Sequence, residues 1–181
     1  MSRLAPLEPP YAADIQADCD RIMPQDVPPL VLFRTIATSK RAWTKFRAAS
    51  LLDRGPLSLR EREIVIDRTC ALTRCEYEWG VHVTIFAQAA KLTGEQVRAT
   101  VLEPAEAACW TDAEQALIAA VDALHHRATL TRREFEALAA YFDGAKILEI
   151  FQLCGFYRTV AYLANGLDLP LEPTAMRFPE S

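Results

Sequence analysis

The chain has 181 residues, a length that suits one domain with a sizeable core and argues against a second full one. Its 20 basic and 24 acidic residues give a net charge of -4, with the arginines spread along the chain rather than gathered into a stripe, which speaks against a nucleic-acid partner. The opening residues hold no apolar stretch of signal-peptide length, and no later run approaches the roughly 20 apolar residues of a membrane span, so a cytoplasmic protein with no membrane partner is expected. Cys19, Cys70, Cys75, Cys109 and Cys154 are odd in number and widely spaced, the pattern of reduced thiols rather than of a disulfide scaffold. Glycine is scarce, Ala and Leu are abundant, and strand-length alternation of β-branched residues is missing. The expected fold is all-α, a single-domain bundle of about seven to nine helices.

In chain order, residues 1–54 form a proline-rich lead (Pro6, Pro9, Pro10, Pro24, Pro28, Pro29) with one helix expected near residues 11–23 and another over about 39–52. Tyr11, Leu30, Leu32 and Phe33 make the lead too apolar for a disordered tail, so it reads as a helical arm packed on the core or on a neighbouring subunit. The core is expected over 55–168. Its helix starts are marked by a Ser or Thr followed three residues later by Glu or Gln, a spacing that lets the two side chains satisfy exposed backbone amides reciprocally. The pairs are Ser58 with Glu61, Thr73 with Glu76, Thr93 with Gln96, Thr111 with Glu114, and Thr131 with Glu134. Ala145 to Ala164 is the longest run with helical apolar spacing, and Gly166 is placed to end it. Residues 169–181 should form an extended tail.

The stretch from Glu63 to His82 carries the chemistry. With Thr73 as a cap, Cys75 falls in the first turn of a helix, and Glu78 and His82 follow at i+3 and i+7, within about 60° of one another. A thiol there feels exposed amides and the positive end of the helix dipole, which favour thiolate, while Glu78 opposes that effect. Tyr77, Trp79, Val81, Val83, Ile85 and Phe86 make the surroundings apolar, so the polar trio is expected to face a pocket or subunit seam, where an acid and an imidazole together serve proton transfer. The competing reading is a solvated Glu–His pair beside a packed cysteine. Tyr77, Trp79, Arg74 and Arg158 are candidate substrate-binding residues, with Arg68 a further candidate for holding an anion, against the alternative that surface arginines serve solubility. Cys70 is a candidate resolving thiol or a core residue. His125 and His126 read as cations suited to a helix C-terminus, with Asp122 four residues before His126.

The order Glu63, eleven residues, Cys75, two residues, Glu78, three residues, His82 resembles the signature of alkylhydroperoxidase D proteins. The sequence Cys75-Glu-Tyr-Glu-Trp-Gly-Val-His82 is similar to the form found among carboxymuconolactone decarboxylase-like proteins, and Leu153-Cys-Gly-Phe156 resembles the later core segment of the same superfamily. The resemblance covers about residues 50–167 and implies the alkylhydroperoxidase D-like helical fold and a homo-oligomer, from dimer to trimer or hexamer. It implies catalytic roles for Glu63, Cys75, Glu78 and His82. Glu78 stands where the hydroperoxidases carry a second cysteine, so the Cys-x-x-Cys disulfide cannot form. Two activities follow. One is acid/base catalysis, decarboxylation or a related proton transfer, on a small carboxylated or lactone substrate. The other is a single-cysteine, thiol-dependent hydroperoxidase using Cys75. Zinc held by Cys75, Glu78, His82 and Glu63 is a third reading whose spacing lacks the specificity of a paired-cysteine site. No metal and no organic cofactor are expected.

Overall fold

A computed structural model describes residues 2–23 and 27–180. Among them are nine α-helices and no strand. The lead contains α1 (Ala13–Ile22), α2 (Val31–Ile36) and α3 (Lys40–Ala49). Both expected helices form. The second stops at Ala49 because Ser50 is extended, which leaves Leu51 and Leu52 outside it. The apolar residues between them build the unanticipated short helix α2. Pro24 lies outside the described residues.

The arm packs on this chain's own core. Trp43 of α3 donates its indole N–H to Asp18 of α1 at 2.9 Å, and Phe33, Trp43 and Phe46 form an aromatic cluster that reaches Phe156 in the last helix. The Leu32 amide donates to the Tyr77 hydroxyl at 3.0 Å.

The core comprises α4 (Leu59–Leu72), α5 (Glu76–Phe86), α6 (Gly94–Leu102), α7 (Asp112–Arg127), α8 (Arg132–Ala139) and α9 (Gly144–Gly166). Ser58, Thr93, Thr111 and Thr131 each form the reciprocal cap anticipated from their spacing. Thr73 does not. Its hydroxyl is captured by the carbonyls of Thr69 and Cys70, so it closes α4 instead of opening α5. Arg74 then takes a left-handed φ of 54°, its amide reaching Ala71 O while the Cys75 amide reaches back to Cys70 O at 2.8 Å. This paired closure of a helix end places Cys75 at the N-cap of α5 rather than in its first turn. At the far end Gly166 remains helical, and the left-handed residue that ends the run is Asp168.

The centre is α4, packed against α5, α6, α7 and α9. Every residue from Glu63 to Cys70 is buried, so its charged side chains point into protein. Arg68 donates twice to the Asp122 carboxylate, at 2.7 and 2.8 Å, and to the carbonyls of Thr100 and Glu103, tying α4 to α6 and α7. Residues 169–180 carry no helix or strand, yet they are anchored. Glu172 accepts from the Val31 amide and the Tyr77 hydroxyl, Phe178 packs on Trp79, and the Met176 amide donates to Thr84. Gly80 is required there, because a Cβ on it would collide with the Met176 carbonyl. Among the described residues no helix is long and apolar enough to cross a membrane.

Removing one partner of a largely buried, fully bonded ion pair leaves the other without its charge partner, which costs about 2 kcal/mol where water can reach part of the remaining group, as at Asp122. Arg68→Ala is therefore expected to lower the unfolding free energy by that order in urea titrations. A loss below about 1 kcal/mol would show that the pair contributes little beyond an exposed one.

Candidate active site

Two helices bring the site together. Glu63 comes from the second turn of α4 and His82 from the second turn of α5, and the reversal at Thr73–Cys75 folds the two against each other. The Glu63 carboxylate meets His82 Nδ1 at 2.7 Å, with both side chains almost completely buried. Its other oxygen accepts from Arg62 Nε at 3.1 Å. On the opposite edge of the imidazole, Nε2 faces the Tyr157 hydroxyl at 3.1 Å and a Glu78 oxygen at 3.5 Å. The second Glu78 oxygen is buried without a hydrogen-bond partner. Phe86 and Tyr157 close over the ring, with centroids 5.2 and 5.1 Å away.

Burial works against a charged imidazole. The hydrogen bonds and charges of Glu63 and Glu78 outweigh it and push His82 up to about 10. His82 is thus an imidazolium at neutral pH, donating from Nδ1 to Glu63 and from Nε2 toward Tyr157 and Glu78. Asp67, one turn beyond Glu63, is fully buried with both oxygens unpartnered. Burial and then the Glu63 charge raise it well above the usual carboxylate range, although the His82 charge opposes them, so Asp67 is a neutral acid.

Cys75 lies in the same region with none of its surface exposed. Burial pushes its thiol up to about 12, an effect that the Glu78 backbone amide opposes and the Glu78 carboxylate reinforces. The thiolate anticipated from a helix N-terminus is therefore not the resting form, because loss of water outweighs one amide and the dipole end. Cys70 is also fully buried and raised, by burial first and by Cys75 and the nearby carboxylates after it.

The structure brings Glu63, Glu78 and His82 into contact and sets Cys75 beside Glu78. It disperses the other candidates. Tyr77 spends its hydroxyl on Leu32 and Glu172, and Trp79 donates to Thr100 at 3.0 Å, so both hold the frame. Arg74 sits exposed in the turn between α4 and α5. Arg68 is committed to Asp122, which also removes Asp122 as the partner expected for His126. Arg158 faces a different cleft, with His125 and His126. Among the described residues no group of three or more His, Cys, Asp and Glu side chains is placed to hold a metal ion. Sequence reasoning missed Tyr157 and Asp67. Asp67 had a signal in its spacing of four from Glu63, whereas Tyr157 follows directly on the Leu153–Phe156 segment and had no local signal of its own.

The sequence pattern of the carboxymuconolactone decarboxylase family matches residues 37–123. No functionally curated protein matches the chain. Among solved structures, an uncharacterized peroxidase-related protein with an alkylhydroperoxidase AhpD core from Ralstonia eutropha JMP134 superposes with a TM-score of 0.83 at 18% identity, over 95% of this chain and 93% of that one. A peroxidase-related protein from Silicibacter sp. TM1040 gives 0.80 at 18% identity, over 95% and 92%. The debrominase Bmp8 gives 0.73 at 18% identity, over 94% and 92%. At such identities the likeness is one of fold. The family pattern over residues 37–123 and this fold together support the carboxymuconolactone decarboxylase and alkylhydroperoxidase D-like superfamily as the group that the chain resembles.

Proposed function

We propose that the chain is an acid/base catalyst for a small carboxylated or lactone substrate, carrying out decarboxylation or a related proton transfer. The observation that supports this reading best is the pairing around His82. Nδ1 is held by Glu63, while Nε2 faces a Glu78 carboxylate that keeps one buried oxygen unpartnered. Glu63 orients and charges the ring, His82 holds a proton at Nε2, and Glu78 offers an acceptor one turn away. In decarboxylation the bond to the carboxylate carbon breaks, carbon dioxide leaves, and the electron pair left behind takes a proton. An imidazolium supplies both that proton and a positive charge for the anionic substrate, a role that neither Arg74 nor Arg158 is positioned to share. Tyr157 can hydrogen-bond a developing enolate oxygen.

A second reading keeps Cys75 as a peroxidatic thiol. Its N-cap position and the Glu78 amide beside the sulfur favour it. The thiolate would attack the peroxide oxygen to give sulfenic acid and an alcohol or water, and an external thiol would reduce it back. The proteins of similar fold include peroxidase-related ones, which supports keeping this chemistry in view. The raised proton affinity of the thiol weighs against it.

The readings separate on paired variants. In carbon dioxide release from a panel of small lactone carboxylates, His82→Gln is expected to lose roughly a hundredfold or more, and Cys75→Ser to retain most activity. Equal collapse of both, or peroxide turnover with a thiol donor that Cys75→Ser abolishes, would favour the thiol.

The charge on His82 also has a stability signature. A group raised from 6.5 to about 10 contributes stability fully present below about 6.5 and lost as pH climbs through 10. The unfolding free energy of the wild type should fall across that window more steeply than that of Glu63→Gln, measured by urea titration at successive pH values. Parallel curves would mean that His82 is neutral in the folded protein.

A further inference from the structure

A cleft of about 620 Å³ opens between the end of α7 and the middle of α9, within the size range of small-molecule sites. Its ionisable lining is one-sided. His125, His126, Arg127 and Arg158 face it together with a single thiol, Cys154, and no Asp or Glu does, in a chain whose net charge is -4. Val121, Leu124 and Phe151 supply apolar walls. Thr69 lies against the Cys154 thiol, and its buried hydroxyl has no other hydrogen-bond partner.

Charge accounting isolates one group. Arg127 is already neutralised by Glu134, at 2.6 and 2.7 Å, and Arg68 behind the cleft by Asp122. Arg158 donates only to uncharged partners, from Nε to the Tyr162 hydroxyl at 2.9 Å and from Nη1 to the His125 carbonyl at 3.0 Å, so its charge is uncompensated among the described residues. His125 registers the resulting field. Burial, then the Arg158 and His126 charges, hold it below its ordinary range, with Arg68 adding slightly and Asp122 opposing.

Basic residues in the last turn of a helix often do no more than complement its exposed carbonyls. That accounts for His125, His126 and Arg127. It does not account for Arg158, which comes from another helix, or for the apolar walls beneath these basic side chains.

We propose that this cleft is a binding site, separate from the His82 cage, for a small organic anion: a carboxylate carried on an apolar, ring-sized frame. Arg158 and the two imidazoles take the carboxylate, and Val121, Leu124 and Phe151 take the frame. The site uses different faces of the shared helices. Thr69 is about 160° around α4 from Asp67, and Arg158 about 100° around α9 from Tyr157.

The three histidines make the test direct, since each imidazole can be followed by NMR. Titrating the full chain with sodium benzoate is expected to shift His125 and His126 saturably, to raise the His125 pKa, and to leave His82 unmoved. Arg158→Gln should weaken the affinity roughly tenfold, the loss expected for a charge-assisted hydrogen bond. The proposal fails if no saturable shift is seen, if His82 responds instead, if inorganic phosphate produces the same shifts at the same concentration, or if a folded Arg158→Gln binds as the wild type does. Should that variant not fold, the wild-type titration against phosphate still decides.

Discussion

A helix enclosed on every side cannot leave its charged groups to water, and α4 is enclosed from Glu63 to Cys70. Each ionisable side chain on that stretch must be paired within the protein or lose its charge. Three solutions appear within six residues. Arg68 takes the Asp122 carboxylate and two carbonyls, Glu63 takes the His82 imidazole, and Asp67, with no partner for either oxygen, stays protonated. The first fixes α4 among its neighbours, and the other two build the candidate site. Frame and site are thus consequences of one constraint.

The same dryness sets the balance between proton and thiol chemistry. Losing water raises a thiol, a carboxyl and a phenol, because each is charged only when deprotonated, and it lowers an imidazole. His82 escapes that fate because two carboxylates face it from opposite edges. Cys75 has only a backbone amide to oppose its burial, and the nearest side-chain charge, on Glu78, is of the wrong sign. A carboxylate three residues after Cys75 therefore does two things at once: it offers no thiol for a Cys-x-x-Cys disulfide, and it makes the Cys75 thiol harder to ionise.

The helices that enclose the cage also present their outer faces elsewhere. Tyr157 points inward to His82, while Cys154, Arg158 and Tyr162 share a stripe centred about 100° further around α9 and look onto the basic cleft. One helix can serve two chemistries because residues one apart in sequence lie about 100° apart around its axis.

Much of this was legible in the residues themselves. Four reciprocal caps, the helices at 13–22 and 40–49 and the long last helix follow from spacing and composition, which are local properties of the chain. So does the shared face of Glu78 and His82, one turn apart. The failures were places where a local signal met a competitor. Thr73 has the spacing of a cap, but the helix before it claimed its hydroxyl, and Gly166 was passed over for Asp168 as the left-handed residue. What the tertiary structure alone decided was who meets whom: that Arg68 belongs to Asp122 and not to a ligand, that Tyr157 arrives from 75 residues away to face His82, and that Cys75 is sealed from water. Helix periodicity assigns a residue to a face. Only the packing of the other helices decides what that face encounters, and with it the loss of water that sets each proton affinity.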